Sequence, residues 1–247
     1  MPVNIDTVYQ RVLAIANKEQ RGYITPQEFN LFANQVQLDM FEQYFYDLNQ
    51  FRRVQGSFET SSDMISILED KISIFEEAIG STAMSNFPVA GSAFRITLPG
   101  NVYRITRVEV AGLFAFPHPA EKLSTNDFND IKDSGPLTRA TVERPVYNLR
   151  KSQLRINNGR PVNPAITNCG MFYIRKPATV NWGYVVLNNK ALYNNADALI
   201  QDFELHRSEE DAVVNKILEL AGIVMNKVGL AQTAAQMSAA ESQLQNT

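Results

Sequence analysis

Hydrophobic residues in the first 80 positions recur every three or four residues, the spacing that places them on one face of an α-helix. A short stripe runs from Val8 to Ile15, a longer one spans Pro26 to Asn49, and a third covers Ser62 to Ile79. Gly80 is a favourable residue after a helix end, because glycine readily adopts the left-handed conformation found there. The pattern therefore predicts an N-terminal helical region over residues 1–80.

The central part of the chain changes to short extended segments separated by turn residues. Phe94–Gly112 is typical of two strands joined at a Pro-Gly pair, and Asn158-Gly159 has the chemistry of a tight turn. Further predicted strands are Pro145–Leu149, Ser152–Ile156, Met171–Ile174, Val180–Leu187 and Leu199–Leu205. Within this β-rich region, residues 81–206, the polar stretch 117–141 is predicted to be a long exposed loop with one short helix, able to act as an interaction arm.

Helical spacing returns at Glu209, where Ser208 and Asp211 resemble a capping box. After this helix the chain is almost uncharged and rich in Ala, Gln and Ser. Three apolar residues in this tail are spaced by seven: Leu230, Met237 and Leu244. An isolated helix with so thin a stripe is marginal in water, so we expect the tail to order on a partner.

The order of these elements predicts an α+β fold rather than alternating βαβ units. It comprises an N-terminal helical bundle, a central mostly antiparallel sheet, and a C-terminal helix with an extended docking tail over residues 207–247.

Composition and charge narrow the possible function classes. Of 247 residues, 45% are hydrophobic and 20% are charged, the balance of a globular chain. The net charge of −3 means that binding of nucleic acid would need a local basic patch. The nearest candidates are Arg104 with Arg107 and a looser set that is spread along the sequence: Arg144, Arg150, Lys151, Arg155 and Arg160.

Cys169 is the single cysteine, which excludes an intrachain disulfide and argues against a cysteine-based zinc site. The N-terminus has no signal-peptide pattern, and no apolar run approaches 18 residues. We therefore expect a soluble chain in a reducing compartment, without a membrane partner.

The segment NKEQRGYITPQEF, Asn17–Phe29, has the outline of an EF-hand calcium loop, because its glycine and last glutamate fall at the sixth and twelfth positions. A calcium loop needs oxygen ligands at position five, where this chain has Arg21. The same residues also suit a helix start, with Thr25 as N-cap, Pro26 at the first position and Glu28 closing a capping box. We favour the capped helix, and a degenerate EF-hand-like binding module is the alternative.

Side chains that could support catalysis are sparse. The two histidines, His118 and His206, lie in none of the motifs typical of metal sites, hydrolases or nucleotide-binding loops. His206 is interpreted as part of a helix-capping junction, and Cys169 as a buried, inert thiol. We assign no catalytic, metal or cofactor site and expect a non-enzyme. The alternative is a hydrolase or transferase that uses His118, Asp127 and Asp130.

Aromatic residues are concentrated in MFEQYFYDLNQF, Met40–Phe51. Phe41 and Phe45 can face a core, which leaves Tyr44, Tyr46 and Phe51 for another surface. That is more apolar area than a monomeric helix commonly exposes. We therefore predict a subunit interface formed by Phe41, Tyr44, Phe45, Tyr46 and Phe51. Trp182, in VNWGYVV, is predicted to anchor the sheet core.

Two segments carry a resemblance to a known family. IDTVYQRVLAIANKEQRGYITPQEFNLFANQVQLDMFEQYFYDLNQF, Ile5–Phe51, resembles the N-terminal signature of structural proteins of tailed bacteriophages, including marine and crAss-like phages. FELHRSEEDAVVNKILELAGI, Phe203–Ile223, is similar to the close of the same family. Between them, Phe94–Leu199 matches mainly in the arrangement of its strands.

The resemblance implies a virion protein of the head-to-tail region, an adaptor or neck ring below the portal. Such adaptors are usually dodecameric rings whose C-terminal tail docks on the portal, here through Leu230, Met237 and Leu244. The implied partners are other copies, the portal protein, further neck or tail proteins, and double-stranded DNA that passes without specific binding. The implied location is the neck of the virion, after synthesis in the bacterial cytoplasm. A tail or baseplate component is the alternative within the virion.

Overall fold

A computed structural model describes most of the chain: residues 2–18, 24–53, 58–79, 94–111, 117–135, 137–141, 143–157, 168–188, 190–196, 198–224, 236, 237 and 239. The helices are α1 (Ile5–Lys18), α2 (Pro26–Arg53), α3 (Phe58–Ser73), α4 (Thr125–Asp133) and α5 (Glu210–Val224), with a 3₁₀ turn at Arg207–Glu209. The strands are β1 (Pro2–Val3), β2 (Glu76–Ile79), β3 (Phe94–Thr97), β4 (Val102–Ala111), β5 (Pro117–Pro119), β6 (Glu121–Lys122), β7 (Val146–Arg150), β8 (Gln153–Asn157), β9 (Asn168–Arg175), β10 (Tyr184–Leu187), β11 (Lys190–Tyr193) and β12 (Phe203–His206). The predicted α+β class is confirmed.

The chain forms two compact units. The helical unit contains Met1–Ile74 and Pro177–Thr247, and the sheet unit contains Phe75–Lys176. The helical unit thus joins both ends of the chain, whereas the sequence pattern treats residues 1–80 and 207–247 as separate regions.

In the described part of the helical unit, α1, α2, α3 and α5 combine with two small sheets. β1 pairs antiparallel with β12, and β10 pairs antiparallel with β11 in a hairpin whose first turn residue, Asn188, has a positive φ of 50°. Helices α1, α2 and α5 share a core to which each contributes buried side chains, among them Val12, Phe29 and Ile217. The β11 strand was not expected from the sequence.

The predicted start of α2 is confirmed. The Glu28 carboxylate accepts from the backbone N–H and the hydroxyl of Thr25 at 2.9 and 2.8 Å, and the Glu28 N–H donates to the Thr25 hydroxyl at 3.3 Å. The backbone N–H of Thr25, and then its hydroxyl, hold the pKa of Glu28 below its usual value. Glu28 is therefore engaged as a capping residue and not as a free carboxylate. Residues 19–23 of the EF-hand window lie outside the described residues.

We expect Thr25→Ala to lower the free energy of unfolding by about 1 kcal/mol, the usual effect of losing an N-cap side chain. Because the pKa of Glu28 is lowered in the folded state, its contribution is present at neutral pH and is lost as the pH falls through that folded-state pKa. Urea denaturation at several pH values would measure both effects. Thr25→Ser should retain the stability, and an equal loss in Thr25→Ser would contradict the capping role.

The third helix ends earlier than the sequence predicts. It ends at Ser73, and residues 76–79 form β2, which pairs antiparallel with β9. Phe75 is fully buried, and its carbonyl accepts from the N–H of Arg175 at 2.9 Å. Pairing with a distant strand therefore overrides the local helical spacing of this segment. Gly80, the expected C-terminal residue, lies outside the described residues.

The sheet unit contains two four-stranded sheets, in the orders β2-β9-β4-β5 and β3-β8-β7-β6. All pairings are antiparallel except that of β6 with β7. Side chains from both sheets form one core cluster: Ile96, Val108, Val110, Tyr147, Leu154, Ile156, Cys169, Met171 and Tyr173. The strands β3 and β4, predicted as a joined pair, lie in different sheets of this sandwich.

The stretch 117–141 is more ordered than the predicted exposed loop. It contains β5, β6 and α4, the short helix expected there, whose N-cap Ser124 accepts from the N–H of Asp127. Phe128 is fully buried against Ala140 and Val146. This helix covers part of the sheet unit and is therefore not a free arm.

Candidate interaction surfaces

Three carboxamide side chains on one face of α2 bind the extended backbone of residues 178–182. Asn30, Asn34 and Gln37 are spaced by four and three residues, and we call them the amide stripe. The side-chain oxygen of Asn34 accepts from the N–H of Val180, and its nitrogen donates to the Val180 carbonyl, both at 2.8 Å. One side chain thus pairs with the backbone as a neighbouring strand would.

The other two amides extend this pattern along the segment. Asn30 accepts from the N–H of Trp182 at 2.9 Å, and Gln37 donates to the carbonyl of Ala178 at 2.7 Å. Gln37 also accepts from the N–H of Glu204 in β12 at 2.9 Å. The amide stripe therefore provides hydrogen bonds to backbone groups of a partly buried segment, which would be destabilising if they left water unpaired.

Trp182 follows directly and is buried. Its indole N–H donates to a carboxylate oxygen of Asp6 in α1 at 2.9 Å, and its ring centroid lies 4.2 Å from that of Tyr9. The ring also stacks on Tyr184 and Tyr193 of the β10–β11 hairpin, with centroids 5.9 and 5.8 Å away. Trp182 was predicted to anchor the sheet core. It instead joins α1 to the β10–β11 hairpin.

Three consecutive acidic residues, the last of the 3₁₀ turn and the first two of α5, are paired with basic residues of other helices. A carboxylate oxygen of Glu209 lies 2.5 Å from Nζ of Lys71 in α3, and both side chains are largely buried, at 10% and 16% exposure. Glu210 and Asp211 contact the guanidinium of Arg11 in α1 at 2.8 and 2.5 Å. These three carboxylates thus connect the start of α5 to α1 and α3. Negative charge at a helix N-terminus is also favourable because of the helix dipole.

The capping junction before α5 is confirmed: His206 is the N-cap of the 3₁₀ turn Arg207–Glu209 that leads into the helix. Nδ1 of His206 accepts from the backbone N–H of Ser208 at 3.3 Å and lies 2.8 Å from the Ser208 hydroxyl oxygen. His206 is therefore engaged in local structure, as the sequence analysis proposed.

Tyr44 lies beside the buried ion pair. Nζ of Lys71 is 5.7 Å from the centre of its ring. Burial, and next the charge of Glu209, raise the pKa of the phenol well above its usual value. Among the residues that the structure describes, its hydroxyl has no hydrogen-bond partner. Tyr44 is thus a neutral packing residue, and its expected place on an outer surface is wrong.

The other residues of the predicted subunit interface divide by exposure. Phe41 is buried, as its core-facing position predicts, and Phe45 and Phe51 are half-buried. Tyr46 is 64% exposed. Of the five proposed interface residues, Tyr46 therefore offers the most surface to another chain.

The exposed face of α2 includes residues that were not predicted to form an interface. Leu31 and Leu38 are 71% and 46% exposed, and Asp39 and Glu42 are exposed between Leu38 and Tyr46. We call these five residues the outer stripe of α2. Helical spacing could have located them, since they lie opposite the buried positions. Large apolar side chains that lie exposed on one face of a helix mark a candidate interface, and the two carboxylates give this face a negative charge.

A second exposed apolar surface is the β10–β11 hairpin. One of its faces packs on Trp182 through two tyrosines, whereas other hairpin side chains remain about half exposed. They are Val185, Val186, Leu187 and Leu192. A two-stranded hairpin with such side chains is a further candidate for contact with another chain.

The register of β3, β8 and β7 brings three arginines that are separated in the sequence close together on one sheet. Arg95 on β3 lies directly opposite Arg155 on β8, and Arg150 on β7 is diagonal to Arg155 on the same side of the sheet. We call these three residues the arginine face. They lie on the side opposite the core cluster, because their neighbours Ile96, Leu154 and Ile156 belong to that core.

Arg155 occupies the centre of the arginine face. Its guanidinium lies 5.2 Å from the ring centre of Phe128, and its buried Nε has no hydrogen-bond partner within the described part of the chain. Burial, and next the charges of Arg95 and Arg150, lower the pKa of Arg155. Three like charges therefore lie together without a carboxylate to balance them among the described residues.

The remaining predicted basic residues are placed differently. Arg107 is paired with Glu109 at 2.7 Å, and Arg144 with Glu121 at 3.7 Å. Arg104 is exposed on β4, and Arg160 lies outside the described residues. Lys151 has a φ of 55° in the turn between β7 and β8, next to Arg150.

Charge is also divided unequally between the two units. Residues 75–176 contain 13 Lys and Arg against 8 Asp and Glu, a formal charge of +5. The remaining sequence contains 10 Lys and Arg against 18 Asp and Glu, a formal charge of −8. The modest net charge of the whole chain therefore conceals two units of opposite sign.

The residues considered for catalysis are not brought together. Asp127 accepts from the hydroxyl of its capping residue Ser124 at 2.7 Å, and the structure records no contact that joins His118 to Asp127 or Asp130, all three of which it describes. Burial raises the pKa of the Cys169 thiol to about 12, so this thiol is buried and protonated, as predicted.

No group of three or more His, Cys, Asp or Glu that could hold a metal ion occurs in the described ranges. Within the same ranges, none of the helices is long and apolar enough to cross a membrane. Of the predicted docking residues, Met237 is 58% exposed, and Leu230 and Leu244 lie outside the described residues.

Neither a scan against models of known protein families nor a search of curated protein sequences found a match for this chain.

Proposed function

We propose that this chain is a structural protein of a tailed-bacteriophage virion, a head-to-tail adaptor that assembles as a ring below the portal and joins the capsid to the tail. The observation that carries the proposal is the way the two resembling segments combine. Ile5–Phe51 contributes α1 and α2, Phe203–Ile223 contributes β12 and α5, and both belong to the helical unit.

The contacts between these segments involve residues within the resembling motifs. Arg11 binds Glu210 and Asp211 of the Ser-Glu-Glu-Asp run, and Gln37 binds the backbone of Glu204. A resemblance restricted to two distant parts of a sequence is weak when those parts are unrelated in space. Here both parts build one core, which supports their interpretation as the signature of a single structural element.

Exposed side chains support an assembly role rather than a chemical one. The outer stripe of α2 and the β10–β11 hairpin both present large apolar side chains to solvent. In a ring, each subunit offers two different surfaces to its two neighbours, so a chain needs at least two such surfaces. The proposed ring is a dodecamer in the virion neck, contacts portal and tail proteins, and forms part of the channel for passing DNA.

Light scattering after size-exclusion chromatography would test this function, first on the protein alone and then after mixing with the portal ring of its phage. We expect a portal-bound complex with about one adaptor per portal subunit, as a closed ring on a symmetric partner requires. A chain that remains monomeric and does not bind the portal would contradict the proposal and favour a tail or baseplate component.

Deletion of residues 230–247 is expected to abolish portal docking and to leave the fold intact. The tail would order on the portal, and Met237 is exposed in the free chain. Circular dichroism and urea denaturation would measure folding, and co-migration with the portal ring would measure docking. Met237→Ala is the milder variant, for which we expect weaker docking. Full docking by the truncated chain would exclude this role of the tail.

A further inference from the structure

We infer that the outer stripe of α2 in one copy of this chain docks on the arginine face of the next copy. The contact joins Asp39, Glu42 and Tyr46 to Arg95, Arg150 and Arg155 of the neighbour. The inference rests on the proposed ring assembly, for which it names the two complementary surfaces.

The arginine face is incomplete in the isolated chain. Like charges directly opposite each other on neighbouring strands destabilise a sheet, and Arg95 and Arg155 are placed in this way. The buried Nε of Arg155 gains no hydrogen bond from the described residues. A planar guanidinium group binds carboxylates through two parallel hydrogen bonds, so an arriving carboxylate would relieve both defects.

The outer stripe of α2 has the groups that such a face needs. Asp39 and Glu42 are exposed and form no ion pair with another described residue. Tyr46 lies one turn beyond Glu42 and offers an aromatic face on which a guanidinium can stack. Leu31 and Leu38 add apolar area, and tyrosine and arginine are among the residues enriched in the hot spots of protein interfaces.

Charge favours a second copy over nucleic acid as the partner. The unit that bears the arginine face has a formal charge of +5, and the unit that bears α2 has one of −8, so two copies attract each other through unlike units. Several other cations of the sheet unit are already paired within the unit, including Arg107, Arg144 and Arg175. The three residues of the arginine face therefore form a smaller basic surface than binding to a DNA backbone commonly uses.

The contact is also of the heterologous type that a ring needs. It joins two different surfaces, so the docking of one copy leaves one surface of each kind free for further copies. A contact of a surface with its own counterpart would instead stop at a dimer. One repeated contact of this kind adds copies in a single direction, and it forms a closed ring when the rotation from one copy to the next closes after the last copy.

Charge reversal would test the contact. We expect Arg95→Glu combined with Arg150→Glu to weaken association between copies by more than about tenfold, because attraction becomes repulsion at the interface. Arg155 is left unchanged because it packs on Phe128. The matched control is Arg104→Glu, an exposed arginine on a different sheet, for which we expect wild-type association. Analytical ultracentrifugation, alone and with the portal ring, measures the association, and circular dichroism confirms folding.

A second variant distinguishes this contact from a general charge effect. Asp39→Arg with Glu42→Arg should weaken association as much as the arginine reversal does. In a mixture of the two reversed proteins, each stripe meets a face of opposite charge on the other protein, so we expect mixed assemblies that neither protein forms alone. Association of the wild type should also weaken as the salt concentration rises.

Other outcomes would overturn the inference. If the wild type assembles and the arginine reversal assembles equally well, this contact is wrong and the proposed function stands. If the wild type assembles neither alone nor on the portal, both fail. If the arginine reversal instead abolishes binding of a short random-sequence duplex DNA and leaves assembly unchanged, the arginine face serves the DNA backbone.

Discussion

Glu209→Gln is expected to lower the free energy of unfolding by about 3 kcal/mol, because it leaves the largely buried Lys71 ammonium without its counter-charge. Replacing both partners, with Lys71→Met and Glu209→Leu, should recover most of this loss, since well-packed apolar side chains can substitute for a buried ion pair. Urea denaturation at neutral pH, followed by circular dichroism, measures both variants.

Two controls separate burial from charge in this experiment. Glu69→Gln breaks the ion pair between Glu69 and Arg52, whose side chains are 55% and 57% exposed respectively. We expect this substitution to change the free energy of unfolding by less than about 0.5 kcal/mol. Tyr44→Phe removes a buried hydroxyl that has no partner among the described residues, so we expect no loss of stability. A similar loss for Glu69→Gln and Glu209→Gln would refute the special role of the buried pair.

Trp182→Ala is expected to lower the free energy of unfolding by about 4 kcal/mol. It removes a buried aromatic ring that contacts Tyr9, Tyr184 and Tyr193, together with the hydrogen bond to Asp6. Urea denaturation followed by circular dichroism measures the loss. In the wild type, the fluorescence of this single tryptophan reports on the same site.

Two milder variants separate the contributions of Trp182. Trp182→Phe retains an aromatic ring but loses the indole N–H, and Asp6→Asn retains an acceptor without its charge. We expect both to lose less stability than Trp182→Ala, because most of its effect comes from packing. If Asp6→Asn alone reproduced the loss of Trp182→Ala, the hydrogen bond and not the ring would be the dominant interaction.

Local patterns in the sequence predicted the features that depend on neighbouring residues. The Thr25–Glu28 capping box involves groups three residues apart, and the helical spacing of α1, α2 and α5 reflects one buried face on each helix. The strands β7 and β8 were found within one or two residues of their ends for the same reason. Such features need no knowledge of the rest of the fold.

Features that depend on pairing over long distances escaped prediction. Residues 76–79 continue a segment with helical spacing, but they form a strand that pairs antiparallel with β9. Tyr44 is buried beside Lys71 of α3 and Glu209 of the 3₁₀ turn, which lie 27 and 165 positions away in the sequence. The arginine face exists because the register of β3 and β8 places Arg95 opposite Arg155, 60 positions later in the sequence. Composition alone could not have indicated any of these three.

The amide stripe of α2 has a consequence for the order of events during synthesis. Gln37 binds Ala178, and Asn34 binds Val180, across 141 and 146 positions of the sequence. At roughly 5–20 residues per second, α2 would wait on the order of ten seconds for these partners to leave the ribosome. Until then its amides are bound to water and its apolar face has no α5 to cover it. Contacts between residues so far apart in the sequence also form slowly. Because the apolar face of α2 stays exposed during this time, we expect nascent chains to depend on chaperones until α5 has been synthesised.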